Sequence, residues 1–190
     1  ETWIAFHADA TYSWYTAAQA ETRHRKLPQQ PFLIAGGNKA TLHVQGVVSG
    51  KVLVQSEKKI VIEEDLTYAH SPELEAGSED YLGLVCRKDI VIAPPQITGS
   101  GDLHIYAAIL AGGRFEVTHL YGADQATLRI YGSLSAGSLS ATEPRYATHV
   151  RFDQRLEQHR PPYFPMTERY EITDWPQEWK MVMPTDDAKH

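Results

Sequence analysis

A single cysteine, Cys86, stands in the 190 residues, so the chain has no internal disulfide framework. Its apolar flank, Leu84-Val85, marks a buried, inert thiol rather than a nucleophile. No apolar run approaches the ~18 residues of a membrane span, so this piece is not expected to cross a bilayer by a helix. Positive charge is scarce as well: 18 Lys and Arg face 24 Asp and Glu, a net charge of −6. That balance argues against a nucleic-acid partner, which would need a basic face to neutralise phosphates. There is no Cys-x-x-Cys, no His-x-x-x-His and no Gly-x-Ser-x-Gly elbow. The glycine pairs Gly36-Gly37 and Gly112-Gly113 lack the following Lys-Ser/Thr and helix of a phosphate loop, and read as corners needing positive φ.

What the chain does have is a weak repeat. Leu42-His-Val-Gln-Gly46 returns as Leu103-His-Ile-Tyr-Ala107 and as Leu128-Arg-Ile-Tyr-Gly132. The last two copies lie 25 residues apart; the first two lie 61 apart, which is two such periods plus 11 residues. Each copy is followed by a glycine corner and a second short apolar segment. Ile90, Phe115 and Leu139 recur there at 25 and 24 residues. Alternation of apolar and polar residues over three to five positions predicts strands buried on one face. Such units cannot bury their own apolar face and must stack.

The predicted fold is therefore all-β: a short right-handed parallel β-helix, or β-solenoid, of about 24–25 residues per turn. A β-sandwich with coincidental Leu-x-Val strands is the competing arrangement. Leu42, Val44, Leu103, Ile105, Leu128 and Ile130 are expected to stack inward, with His43, His104 and Arg129 in an outward column.

One structural domain in three parts is expected. Residues 1–38 form an aromatic N-terminal cap, in which Trp3–Phe6 and Tyr12–Thr16 read as strands and Thr16–Lys26 as strand or short helix. Residues 39–142 carry the repeat, with a polar loop inserted at 70–80. Residues 143–190 form a Pro/aromatic C-terminal cap, since Pro161, Pro162 and Pro165 cannot donate to a ladder. Tyr170-Glu-Ile172 and Trp175 to Trp179 follow. The chain opens on Glu1 rather than Met, so a processed or excised piece is expected, with room for an upstream signal or anchor.

Candidate chemistry is sparse. His43 and His104 share a repeat phase, but two turns are ~9–10 Å apart at strand spacing, too far for one zinc. No metal ligand set, cofactor site or catalytic residue is assigned. Glu63-Glu64-Asp65 is the one acidic run in the repeat, and alternating sides keep it from facing one ligand as a glycosidase pair would. The phase before the second strand reads Lys51, Asp89, Arg114 and Ser138, without a carboxylate pair. Tyr106 and Tyr131 share a phase in consecutive turns and are expected to stack as a ladder, which steadies the turns if packed and offers a surface for sugar or a protein partner if exposed. Asp153 and Arg155 read as a structural pair in the C-terminal cap. Candidate partner or ligand contacts are thus Tyr106, Tyr131, Glu63, Glu64 and Asp65.

As an ordered set, several strings resemble an uncharacterised bacterial domain of PilX-like proteins associated with type IV pili. They are Gly46–Glu57, Ile60–Tyr68, Tyr81–Val85, Asp89–Ile92, Leu103–Ala111, Tyr131–Leu134, Phe152–Leu156 and Pro161–Pro165. The resemblance covers roughly residues 40–180. It implies a β-helical ectodomain behind a pilin-like helix, and brings no catalytic residues with it. The expected function is that of a non-enzymatic scaffold at the bacterial cell surface, periplasm or exterior, contacting envelope or pilus proteins. The alternatives are a carbohydrate-binding or carbohydrate-cleaving β-helix and an end-to-end polymer-forming module.

Overall fold

The computed structural model describes residues 1–75, 77–118 and 125–165. Of these residues 59% are strand and 5% helix, so the all-β expectation holds. The strands are β1 (Thr2–His7), β2 (Thr11–Thr16), β3 (Gln19–Lys26), β4 (Phe32–Ala35), β5 (Thr41–Val48), β6 (Lys51–Ser56), β7 (Lys59–Tyr68), β8 (Tyr81–Cys86), β9 (Asp89–Ile92), β10 (Leu103–Val117), β11 (Ala126–Leu139) and β12 (Tyr146–Phe152). Two single-turn helices, α1 (Pro95–Thr98) and α2 (Arg155–Gln158), punctuate them.

All twelve strands belong to one curled, open sheet. The β1–β2 and β2–β3 pairs are antiparallel; every other described pair is parallel. Three ladders result. Leu42, Ile60, Ile90, Phe115 and Leu139 are successive rungs of the first. Leu33, Leu53, Gly83, Ala108 and Ser133 are rungs of the second. Gly46, Leu66, Ile105, Ile130 and Val150 are rungs of the third.

All three ladders contribute to one core. Ile62 and Ile92 reach it from the first, Val54, Leu84 and Ile109 from the second, and Leu66, Ile105 and Ile130 from the third, all within one buried cluster. Each such side chain contributes about 1.5–3 kcal/mol on burial. The stack depends on this shared interior because no strand pair could cover its own apolar face.

Several expectations need correction. Leu103 does pair with Leu128, and His104 with Arg129. Leu42, however, lies on the first ladder, not with Leu103 on the third, and His43 therefore pairs with Val61 rather than aligning with His104. The period-two pattern is the same on every strand, so it identifies a strand without saying which ladder it joins. For the same reason Lys51 pairs with Tyr81, and Lys59 takes its expected place beside Asp89, Arg114 and Ser138. The segment from 16 to 26 contains β3, not a helix, because β2 offers it a ladder partner.

Gly112 and Gly113 do not have positive φ. They are small because the chain below is close: a Cβ on Gly112 would sit 2.4 Å from the Arg87 carbonyl oxygen. Positive φ belongs instead to the glycines that end the repeated pentapeptides, Gly46 at 104° and Gly132 at 145°. There a Cβ would come 2.2 Å and 2.0 Å from the carbonyl oxygens of Phe6 and Ala107 on the neighbouring rungs.

The described C-terminal segment folds back over the outside of the second ladder. A Cβ on Gly83 would come 2.4 Å from Leu53 Cδ1 on the rung below and 3.3 and 3.2 Å from Pro161 and Phe164, so this glycine makes room for Leu53 and for the Pro-Pro-Tyr-Phe-Pro string. Tyr170-Glu-Ile172 and Trp175 to Trp179 lie outside the described residues.

Candidate binding face

The repeated tyrosines are brought together. Tyr106 and Tyr131 are register partners with ring centroids 5.2 Å apart. Tyr68 extends the column, edge-on to Tyr106 at 5.6 Å. The 70–80 loop closes over them. The Tyr106 hydroxyl donates to Glu73 at 3.0 Å, and Arg151 pairs with the same carboxylate while its guanidinium lies 5.7 Å from the Tyr131 ring. Burial, then the Glu73 carboxylate, pushes the Tyr106 hydroxyl above its ordinary pKa; burial does the same for Tyr131.

The loop is tied at both ends. Asp80 accepts hydrogen bonds from the backbone N–H groups of Gly50, at 2.6 Å, and His70, at 2.9 Å. Arg155 donates to the Ser78 carbonyl at 2.8 Å and lies over the Tyr68 and Tyr81 rings, 5.5 and 4.4 Å from their centroids. Its guanidinium grips the fully buried Asp153 with a bond of 2.7 Å from Nη2 and a second from Nε at 3.1 Å. Asp153 and Arg155 thus lock the loop to the stack.

The acidic run is split by the backbone. Between the Val44–Ile62 and Gly46–Leu66 rungs, Glu63, Glu64 and Asp65 all stand opposite Gln45. This bulge re-aims the side chains and overrides simple alternation. Glu64 and Asp65 are exposed, and Asp65 accepts the His104 backbone N–H at 2.7 Å. Glu63 turns inward. Its Oε1 accepts from Trp3 Nε1 at 3.2 Å and lies 2.7 Å from His43 Nδ1.

Glu63 supports a second aromatic row, one that no repeat announces. Trp3 on β1 is in register with Tyr15 on β2 and His43 on β5. The three rings stack, Trp3 to Tyr15 at 4.9 Å and 4°, Trp3 to His43 at 4.5 Å and 18°. Beside them opens a hollow of about 220 Å³, walled by Trp3 and Tyr15 and floored by Ser13, Thr22, Gln45 and Glu63. Among the described residues His43 Nε2 is a buried side-chain nitrogen without a hydrogen-bond partner, the Glu1 carboxylate lying 4.0 Å away. Sequence reasoning noted Trp3, Tyr15 and His43 singly. Their convergence depends on β1 pairing with both β2 and β5, which no local pattern reveals.

The hollow offers hydrogen bonding and ring stacking rather than covalent chemistry. His7 Nε2 lies 2.9 Å from Ser13 Oγ, but Ser13 sits in mid-strand between Ala5 and His24. Backbone N–H groups there are committed to the ladders and do not converge on an oxyanion. Cys86 is fully buried, and burial pushes its thiol up. Among the described residues no three His, Cys, Asp or Glu side chains are placed to hold a metal ion, and no helix is long and apolar enough to cross a membrane. Comparison with family models, curated proteins and solved structures finds no match.

Proposed function

We propose that the chain is a short right-handed parallel β-helix acting as a non-catalytic scaffold in a type IV pilus-associated assembly of the bacterial envelope. The observation that carries the β-helix reading is register: Gly83 to Ala108, Ile90 to Phe115 and Leu103 to Leu128 are each parallel neighbours 25 residues apart. One period of chain therefore visits three ladders before returning, and right-handed passage is the rule for parallel crossovers. The scaffold reading is supported by how the polar groups are used. Tyr106, Glu63 and Asp65 are bonded to other parts of the stack instead of standing free around a cleft. The pilus setting is supported by the ordered resemblance of residues 40–180 described above.

Two experiments test this. Paired substitutions His104→Cys and Arg129→Cys put thiols on adjacent outward rungs, within disulfide reach of an in-register parallel pair. Rapid oxidation to an intrachain disulfide is expected; its absence sinks the β-helix. Deleting the gene in its host should reduce surface pili counted by electron microscopy, with recovery on complementation. Unchanged piliation sinks the pilus assignment and leaves the fold standing.

A second reading, carbohydrate recognition, is favoured by the hollow beside Trp3 and Tyr15, which combines aromatic rings with an amide, two hydroxyls and a carboxylate. Titration with soluble oligosaccharides should then quench tryptophan emission in the native chain but not in Trp3→Ala. Equal responses from both count against it.

A further inference from the structure

The second ladder stops at β4, which pairs with β6 and, among the described strands, with nothing on its other edge. The first ladder does not stop there. Beyond β1 it continues through β2 to β3. The inner face of β1 and β2 therefore overhangs the end of the core, with only the short edge strand β4 opposite. The result is a cleft of about 340 Å³, lined chiefly by Ile4, Tyr12, Trp14, Phe32 and Leu42. Its volume is at the lower end of the ~300–1,000 Å³ of small-molecule sites. Tyr12 and Phe32 meet across it, ring to ring, at 5.6 Å.

One charged residue belongs to this lining. Arg25, on β3, is in register with Tyr12 and contributes to the cleft wall. No hydrogen bond or ion pair engages its guanidinium among the described residues. Its neighbour Arg23 is occupied, lying 4.9 Å from the Trp14 ring and donating to Gln19 Oε1 at 2.8 Å. β3 is exposed along its whole length and gathers Arg23, Arg25 and Lys26 at one end, in a chain whose net charge is −6. An apolar cleft with a cation at its wall that no described group engages is complementary to a molecule with an apolar body and an anionic head.

We infer that this cleft binds a single-chain anionic amphiphile, its apolar tail against Tyr12, Trp14 and Phe32 and its carboxylate on Arg25. The site lies on the inner side of the sheet, away from the Trp3–Tyr15 hollow, and is independent of the scaffold reading.

The test is titration of the whole chain with sodium decanoate below its micellar concentration, followed by NMR of the Trp14 indole and the Ile4 and Leu42 methyls. Saturable shifts confined to these groups are expected. Arg25→Glu should weaken binding about tenfold or more, and decanol, which keeps the tail but not the charge, should bind more weakly by a similar factor. Ala40→Phe, which fills the cleft from its wall, should abolish the shifts. Equal affinity of Arg25→Glu and the native chain, or shifts centred elsewhere, would overturn the inference. So would shifts at the same groups on concentrating the protein alone, which would assign the cleft to a second copy.

Discussion

Aromatic rings line up in two places on this molecule, and the two rows are built differently. The Tyr68–Tyr106–Tyr131 column runs up parallel rungs, and a loop, a carboxylate and two arginines close over it. The Tyr15–Trp3–His43 row runs across the junction of antiparallel and parallel pairing, and leaves a hollow beside it. Repetition along a ladder brings like residues together and consumes them in packing. A break in the pattern brings unlike residues together and leaves groups available. The same contrast explains why the repeated tyrosines were the visible candidates while the more open face was built from residues that never repeat.

The comparison can be broken first at its strongest lock. Arg155→Leu strands the buried Asp153 carboxylate, which should cost about 3–5 kcal/mol of unfolding free energy by urea titration. It should also speed amide exchange in the 70–80 loop, since the bond to the Ser78 carbonyl is lost. A loss below about 1 kcal/mol would mean that the loop stands without this pair.

Glu63→Leu attacks the other row. It leaves Trp3 Nε1 and His43 Nδ1 unpaired, for an expected loss of about 2 kcal/mol and a red-shifted tryptophan emission. An unshifted spectrum would show that Glu63 does not set the pose of Trp3.

Tyr131→Ala removes one ring from the covered column. About 1 kcal/mol beyond its buried area is expected from the lost ring pair, with no effect on ligand titrations at the N-terminal face. A change in those titrations would couple the two rows and dissolve the distinction.

The smallest effect is one of pH. The Asp80 carboxylate, by hydrogen bond and then by charge, raises the pKa of His70 above its ordinary 6.5. A raised pKa contributes stability that is full below 6.5 and is lost as pH rises through the higher folded value. Urea midpoints of the native chain and His70→Gln should therefore differ at pH 5.5 and converge at pH 8.5. A gap that widens with pH would reverse the sign and refute the pairing.

Much of the architecture was legible because strand faces announce themselves: Leu103, Ile105, Leu128 and Ile130 are buried as their alternation requires. Ladder membership was not legible. Leu42 and Leu103 carry the same local signature yet lie on different ladders, since register is set by corner lengths and glycines rather than by apolar period. At the acidic run, alternation failed at a bulge, a two-strand property invisible in one strand. The Asp153–Arg155 pair was readable because its partners are two residues apart. The Glu63–Trp3 bond spans 60 residues and was not.

The corners have a last consequence. Along the first ladder, neighbouring rungs are separated by 18, 30, 25 and 24 residues, although each step is one strand spacing. Vertical distance is fixed by hydrogen bonds, whereas the length of chain spent between rungs is adjustable. Insertions at these bends change the contour of the molecule without moving any rung. A foreign peptide spliced at the tip of the 70–80 loop, with Asp80 and Glu73 retained as anchors, would be carried on an unaltered frame.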